Sequence, residues 1–140
     1  MLGKEIIIDE KMKEKIKIIT KYGKLEAEIE DSKNPKTAKE IIKILPIEGK
    51  ANRWGEEIYF EIPLSLKEEN SQQEVEIGDM AYWPGGNSLC IFFGRTPVST
   101  SNKPKAYSAV NVIGKVTKNL DILKKVKDGD WVKIGKIGKD

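Results

Sequence analysis

Tyr59 and Glu61 lie two apart in the segment EIYFEI, residues 57–62, a spacing that puts both on one face of a strand. Tyr82 and Trp83 close a second such segment, and Trp54 stands just before the first. Small-molecule sites are built from aromatic walls and a few placed polar groups. These residues therefore outline an aromatic, acid-edged cleft for a small ligand or an extended peptide, and the acid suits a positive group. Trp54, Tyr82 and Trp83 fit equally well as core residues closing the ends of the fold.

Other chemistries are excluded or disfavoured by residue type. The 140-residue chain contains no histidine, which removes Ser-His and Cys-His nucleophilic pairs and histidine metal ligands. Its one cysteine, Cys90, sits between Leu89 and Ile91; it cannot form an internal disulfide and reads as a buried, inert thiol. Glu56, Glu57, Glu61 and Asp79 supply oxygen donors, but Glu56 and Glu57 would point to opposite faces of a strand, and the spacing matches no metal loop. Neither metal nor cofactor is expected. The run Pro84-Gly85-Gly86-Asn87 lacks the Gly-Lys-Ser/Thr ending of a phosphate loop. Net charge is +3, with acids and bases interleaved, whereas a nucleic-acid binder gathers its basic residues on one face. The lysines of residues 133–139 read as guards of an edge strand. No apolar run reaches membrane length and no leader pattern opens the chain, so a cytoplasmic, non-membrane protein is expected. Richness in Lys, Glu and Ile gives a thermophile-like composition.

The elements that must position the cleft follow from periodicity. Residues 15–18 and 25–30 alternate polar and apolar on either side of Tyr22-Gly23, which predicts a β-hairpin. Asn34 and Pro35 open a helix whose apolar stripe is Ala38, Ile41, Ile42 and Leu45, and Pro46 ends it. Strands are predicted over 57–62, 74–80, 88–94, 109–116 and 131–137, with a short second helix after Asn119 and polar loops over 67–73 and 97–107. Short strands punctuated by turns predict an all-β closed barrel with two helices at its ends. Residues 1–13 read as a tail or added edge element, and 14–140 as one barrel domain.

Several segments, in this order, resemble cyclophilins. Pro35-Lys36-Thr37-Ala38 resembles their PKTA segment, Phe60-Glu61-Ile62-Pro63 the end of an FHRIIP strand, Ser88-Leu89-Cys90-Ile91-Phe92 an SQFFI strand, and residues 110–116 the HVVFGKV strand. Residues 54–60, 78–84 and 108–114 are similar to recurrent segments of a small prokaryotic cyclophilin-like family of uncharacterised function. The resemblance spans about residues 14–137 and implies a cyclophilin-like β-barrel.

Cyclophilins are prolyl isomerases. Twisting an X-Pro amide needs an apolar proline pocket and a cation or donor on the twisted bond. Carried over to this chain, the family arginine falls at Glu61, which can only accept hydrogen bonds when ionised. The pocket histidine falls at Val110 and the aromatic floor at Ile91. Arg53 and Arg95 are the remaining donors, if either swings into the groove; both fit equally as surface ion-pair formers. The resemblance thus implies a cyclophilin groove without its isomerase arginine. The expected function is non-catalytic ligand or peptide binding through Trp54, Tyr59, Glu61, Tyr82, Trp83, Ile91 and Arg95. The alternatives are an unconventional prolyl isomerase or an oligomeric interaction protein.

Overall fold

A computed structural model describes residues 12–138. Strands β1 (Lys13–Thr20) and β2 (Gly23–Glu30) form the expected hairpin. Their alternation buries Ile16, Ile18, Leu25, Ala27 and Ile29 on one face. Of the expected tail, residues 1–11 lie outside the described residues. Lys13 already pairs with Glu30, and Asp31 accepts from the Met12 amide at 3.0 Å.

Helix α1 (Pro35–Ile44) carries Pro35 in its first turn and buries Thr37, Ala38, Ile41 and Ile42. Leu45 is only half-buried; it takes an extended conformation before Pro46 and ends the helix. Asn34 stands at the N-cap, yet its side chain makes no capping bond. Glu69, from the loop expected to be merely polar, fills that role: its carboxylate accepts from the Lys36 and Thr37 amides, both at 3.1 Å, and from the Thr37 hydroxyl at 2.9 Å. Burial raises the Glu69 carboxyl, but these hydrogen bonds outweigh it and hold it below its ordinary range. Asn34 instead donates to the Val112 carbonyl and accepts from the Asn70 amide. Buried Asn111 completes the knot, donating to Thr37 Oγ1 and the Lys67 carbonyl and accepting from the Glu69 amide, each at 3.0 Å.

The remaining strands are β3 (Ile47–Lys50), β4 (Asn52–Arg53), β5 (Glu57–Glu61), β6 (Gln72–Glu74), β7 (Asp79–Trp83), β8 (Ser88–Phe92), β9 (Lys105–Lys118) and β10 (Trp131–Lys136). Strands β3 and β4 fall where no strand is expected, β6 lies mostly in the expected 67–73 loop, and two others depart in their bounds. The segment after Gln73 turns at residues 76–79 before β7 begins, and β9 starts at Lys105, inside the segment expected to be a loop. The expected second helix is a 3-10 turn (Leu120–Lys125), which buries Leu123 after Asn119 takes a left-handed conformation.

The strands join in the order β3-β10-β1-β2-β9-β7-β8-β5-β4, with β6 added to β9. Among the described residues this hydrogen-bonded path is open, so the expected closed barrel is corrected to a strongly wrapped sheet. The physical reason lies at Ala51, the single residue between the two end strands. Its N–H donates to the Asp130 carbonyl, and its carbonyl accepts from Gly129. The chain turns the corner covalently there, and Gly49 of β3 lies against the Phe60 ring of β5 without a ladder between them.

Apolar packing occurs on both faces of part of this sheet. The main core holds Ile16, Leu25, Ile41, Ile58, Phe60, Met80, Tyr82, Leu89, Ile91 and Val132 among others. A second cluster lies on the opposite face of β8, where Cys90 and Phe92 meet Val75, Ala81, Ala106, Val110 and Val112. The unbroken run Leu89–Phe93 is therefore buried on both faces, as a short continuous apolar segment between turns implies.

Candidate functional site

The cleft lies on the second face, over β5, β8, β7 and β9. Its first wall comes from a tight turn between β4 and β5. Trp54 N–H donates to the Glu57 carbonyl at 2.9 Å and Glu57 N–H returns to Trp54 at 3.2 Å. Gly55 takes φ +61°, and a Cβ there would crowd the Arg95–Pro97 backbone and ring. This turn brings Trp54 and Glu57 to one end of the cleft. Along β5, Glu57 and Tyr59 share a face, opposite Phe92 and Cys90 of β8.

The second wall is Trp83, at the end of β7. The 3-10 turn Pro84–Gly86 folds back on the indole, and Gly86 lies so close that any Cβ there would overlap its six-membered ring. Trp83 Nε1–H donates to Ser108 Oγ at 2.7 Å, fixing the ring toward β9. Tyr107, 69% exposed, completes the enclosure. Three edge-to-face contacts link the rings in sequence: Trp54 to Tyr107 at 6.0 Å, Tyr107 to Trp83 at 6.1 Å, and Trp83 to Tyr59 at 5.8 Å. Their interplanar angles of 76–83° make them walls rather than a stack.

The four rings border a cavity of about 210 Å³ that Glu57, Cys90, Ala106 and Val110 also line. Glu57 is 5% exposed. Burial pushes its carboxyl up to about 7, opposed by a hydrogen bond from the Cys90 thiol. The thiol is pushed well above its ordinary value by burial and then by the adjacent carboxylate. Such a thiol holds no thiolate at neutral pH, so Cys90 is a hydrogen-bond donor here and not a nucleophile.

Of the residues singled out from sequence, the structure brings together Trp54, Tyr59 and Trp83. Tyr82 is corrected to a core residue: it neighbours Trp83 in a strand, so it faces the main core, where its hydroxyl donates to the Leu64 carbonyl or Asn87 Oδ1 and accepts from the Leu66 amide. Ile91 is fully buried on that same core face, paired with Ile58. Glu61 shares the face of Tyr59 but lies at the far end of β5, exposed and opposite Ser88. Arg95 is exposed and donates to the Ser99 carbonyl. Arg53 donates to the carbonyls of Gly55, Lys124 and Val126 and stacks over Phe93 at 4.9 Å; it braces the β4 end of the fold.

Two residues of the site escaped the sequence reading. Tyr107 was placed in a Ser/Pro/Lys-rich loop, although it stands two residues into β9. Glu57 stands out in the sequence only among the acids that match no metal loop, although its two-residue spacing from Tyr59 puts it on the cleft face. Among the described residues no group of three or more acidic or cysteine side chains is placed to hold a metal ion, and no helix is long and apolar enough to cross a membrane.

The mostly-β fold and the cleft on its second face define a protein of the cyclophilin-like class. A cyclophilin-like family model matches residues 14–135, and the chain belongs to that family. It is similar to the solution structure of a hypothetical protein from Archaeoglobus fulgidus, at 40% identity and a TM-score of 0.78, over 91% of this chain and 98% of that one. No curated protein matches the chain.

Proposed function

We propose that this chain is a non-catalytic binding module whose ligand sits between Trp54, Tyr59, Trp83 and Tyr107, over Glu57. The observation that carries this reading is a carboxyl held in an aromatic enclosure, where desolvation drives it to about 7 against the fold's own stability. Strongly perturbed groups in clefts mark functional sites. The volume of about 210 Å³ is below the ~300–1,000 Å³ of sites for drug-sized ligands, which favours a small molecule or the tip of an extended peptide over a nucleotide. Catalysis is disfavoured by the chemistry of the lining: the thiol is protonated, and the two arginines that could replace the isomerase donor are engaged with backbone carbonyls elsewhere.

The test is a fragment panel of cationic, anionic and neutral compounds read by the indole N–H resonances. Saturable shifts at Trp54 and Trp83, with Trp131 unmoved, are expected from at least one charge class, and Trp83→Ala should abolish them. A panel in which no fragment moves Trp54 or Trp83 would overturn the binding reading.

A further inference from the structure

The binding reading leaves the ligand's chemistry open, and the lining of the cleft narrows it. Resting on that reading, we infer that the cleft takes a methylated ammonium group, with the rings of Trp54, Tyr59, Trp83 and Tyr107 as its walls and the Glu57 carboxylate as its counter-charge.

Three observations and one chemical exclusion point to this class. All four rings line the cavity and meet edge to face rather than stacking, so aromatic walls bound it on several sides, and aromatic walls suit a cation. The charged group of the lining is an acid: Glu57 from β5, with Cys90 of β8 and the hydroxyl-bearing Tyr59 and Tyr107 as the other titratable groups, and neither lysine nor arginine among the described residues that line the cavity. An anion would meet a carboxyl and aromatic walls that both disfavour it, and a neutral ligand would gain nothing from ionised Glu57, whereas a cation gains from both. The cavity, about 210 Å³, is of a size for a compact head group. Finally, one carboxylate cannot replace the six to eight oxygens of a calcium shell, and a bare ammonium carries three donors to satisfy. A nitrogen whose hydrogens are replaced by methyls has no such demand and gains most from aromatic walls.

The inference also fixes a proton linkage. The ammonium needs Glu57 ionised, so affinity should rise as pH passes upward through about 7 and level off above it.

The experiment uses the full chain carrying Trp131→Phe, so that the emission reports the two cleft tryptophans. It is titrated at pH 8 with choline and with 3,3-dimethylbutan-1-ol, choline's neutral carbon isostere. Choline is expected to saturate the signal, and the isostere to bind ~10-fold more weakly or less. Glu57→Gln should weaken choline by ~10-fold, leave the isostere unchanged and flatten the pH dependence. A trimethyl-lysine peptide run beside choline identifies the source of the group: tighter peptide binding assigns the ammonium to a polypeptide, tighter choline binding to a free metabolite, and either supports the inference. Equal binding of choline and its isostere would overturn the inference while leaving a binding module that selects by shape. So would neutral or anionic fragments that shift Trp54 and Trp83 where neither choline nor the peptide does. Silence from every probe and every fragment would overturn the binding reading itself.

Discussion

Glu57→Gln should make this protein more stable, and by an amount that grows with pH. Glu57 titrates near its ordinary value of 4.5 in the unfolded chain and at about 7 in the folded one. The folded state therefore binds more protons between those values, and stability falls as pH rises through that window. The full difference corresponds to about 3 kcal/mol, absent below pH 4.5 and complete once pH exceeds 7. Because the carboxyl is 5% exposed, solvent screening takes little from this figure. Glutamine has the shape of the protonated acid and does not titrate. The variant and the parent should thus differ little at pH 5 and separate by about 3 kcal/mol at pH 8.5, which for a chain of this size is roughly 10 °C in Tm. Urea unfolding followed by circular dichroism at half-unit pH steps measures it. Two parallel stability profiles, or a variant that loses stability at pH 8.5, would refute the reasoning, because either would mean that the buried carboxylate is compensated by a partner stronger than the Cys90 thiol.

Three further outcomes follow from neighbouring parts of the structure. Asn111→Ala removes three hydrogen bonds at a fully buried position and frees the loop that caps α1, so it should cost about 3 kcal/mol in urea unfolding. Gly86→Ala forces a methyl against the Trp83 ring; the indole must leave Ser108, which a shift of the Trp83 N–H resonance would record, and ligand binding in the cleft should fall at least ~10-fold. In a protease-coupled assay on X-Pro peptides the protein should leave the thermal rate unchanged, since the positive groups a twisted amide would need, Arg53 and Arg95, donate to carbonyls outside the cavity.

How much of this was legible in the sequence depended on whether a signal was local. The β1–β2 hairpin and the stripe of α1 were legible because strict alternation and an i, i+3, i+4 pattern depend only on near neighbours. The open seam was not: β3 and β4 are separated by Ala51 alone, too short a link for them to pair with each other, and the groups that bind the chain at that corner, Asp130 and Gly129, lie some 80 residues away. The helix cap fell to Glu69 rather than Asn34 for the same reason. At the site, alternation alone separates Tyr82 from Trp83: adjacent strand residues face opposite ways, so one of the two had to be core. Period two does not say which face of β7 is inside, and the double-sided burial of β8 removed the usual contrast between a wet and a dry face. Tyr107 was hidden by its neighbours' composition, because Ser, Pro and Lys around it read as loop while tertiary pairing with β6 makes a strand.

The buried polar groups then divide by how they are held. Asn34, Asn111 and Tyr82 each make two or more hydrogen bonds within the fold, and each ties a loop to the sheet, so structure alone accounts for them. Asp79, also buried, accepts from the Glu76 amide and closes the turn before β7. Burial raises the carboxyls of both Asp79 and Glu57, but where Asp79 has a backbone amide and the nearby charges of Lys115 and Lys33, the bond that favours ionised Glu57 comes from a thiol, a weak donor. A glutamine would satisfy the same strand position without the loss of stability at neutral pH. The position is therefore better explained by what the carboxylate faces, the space between four aromatic rings, than by anything it holds together.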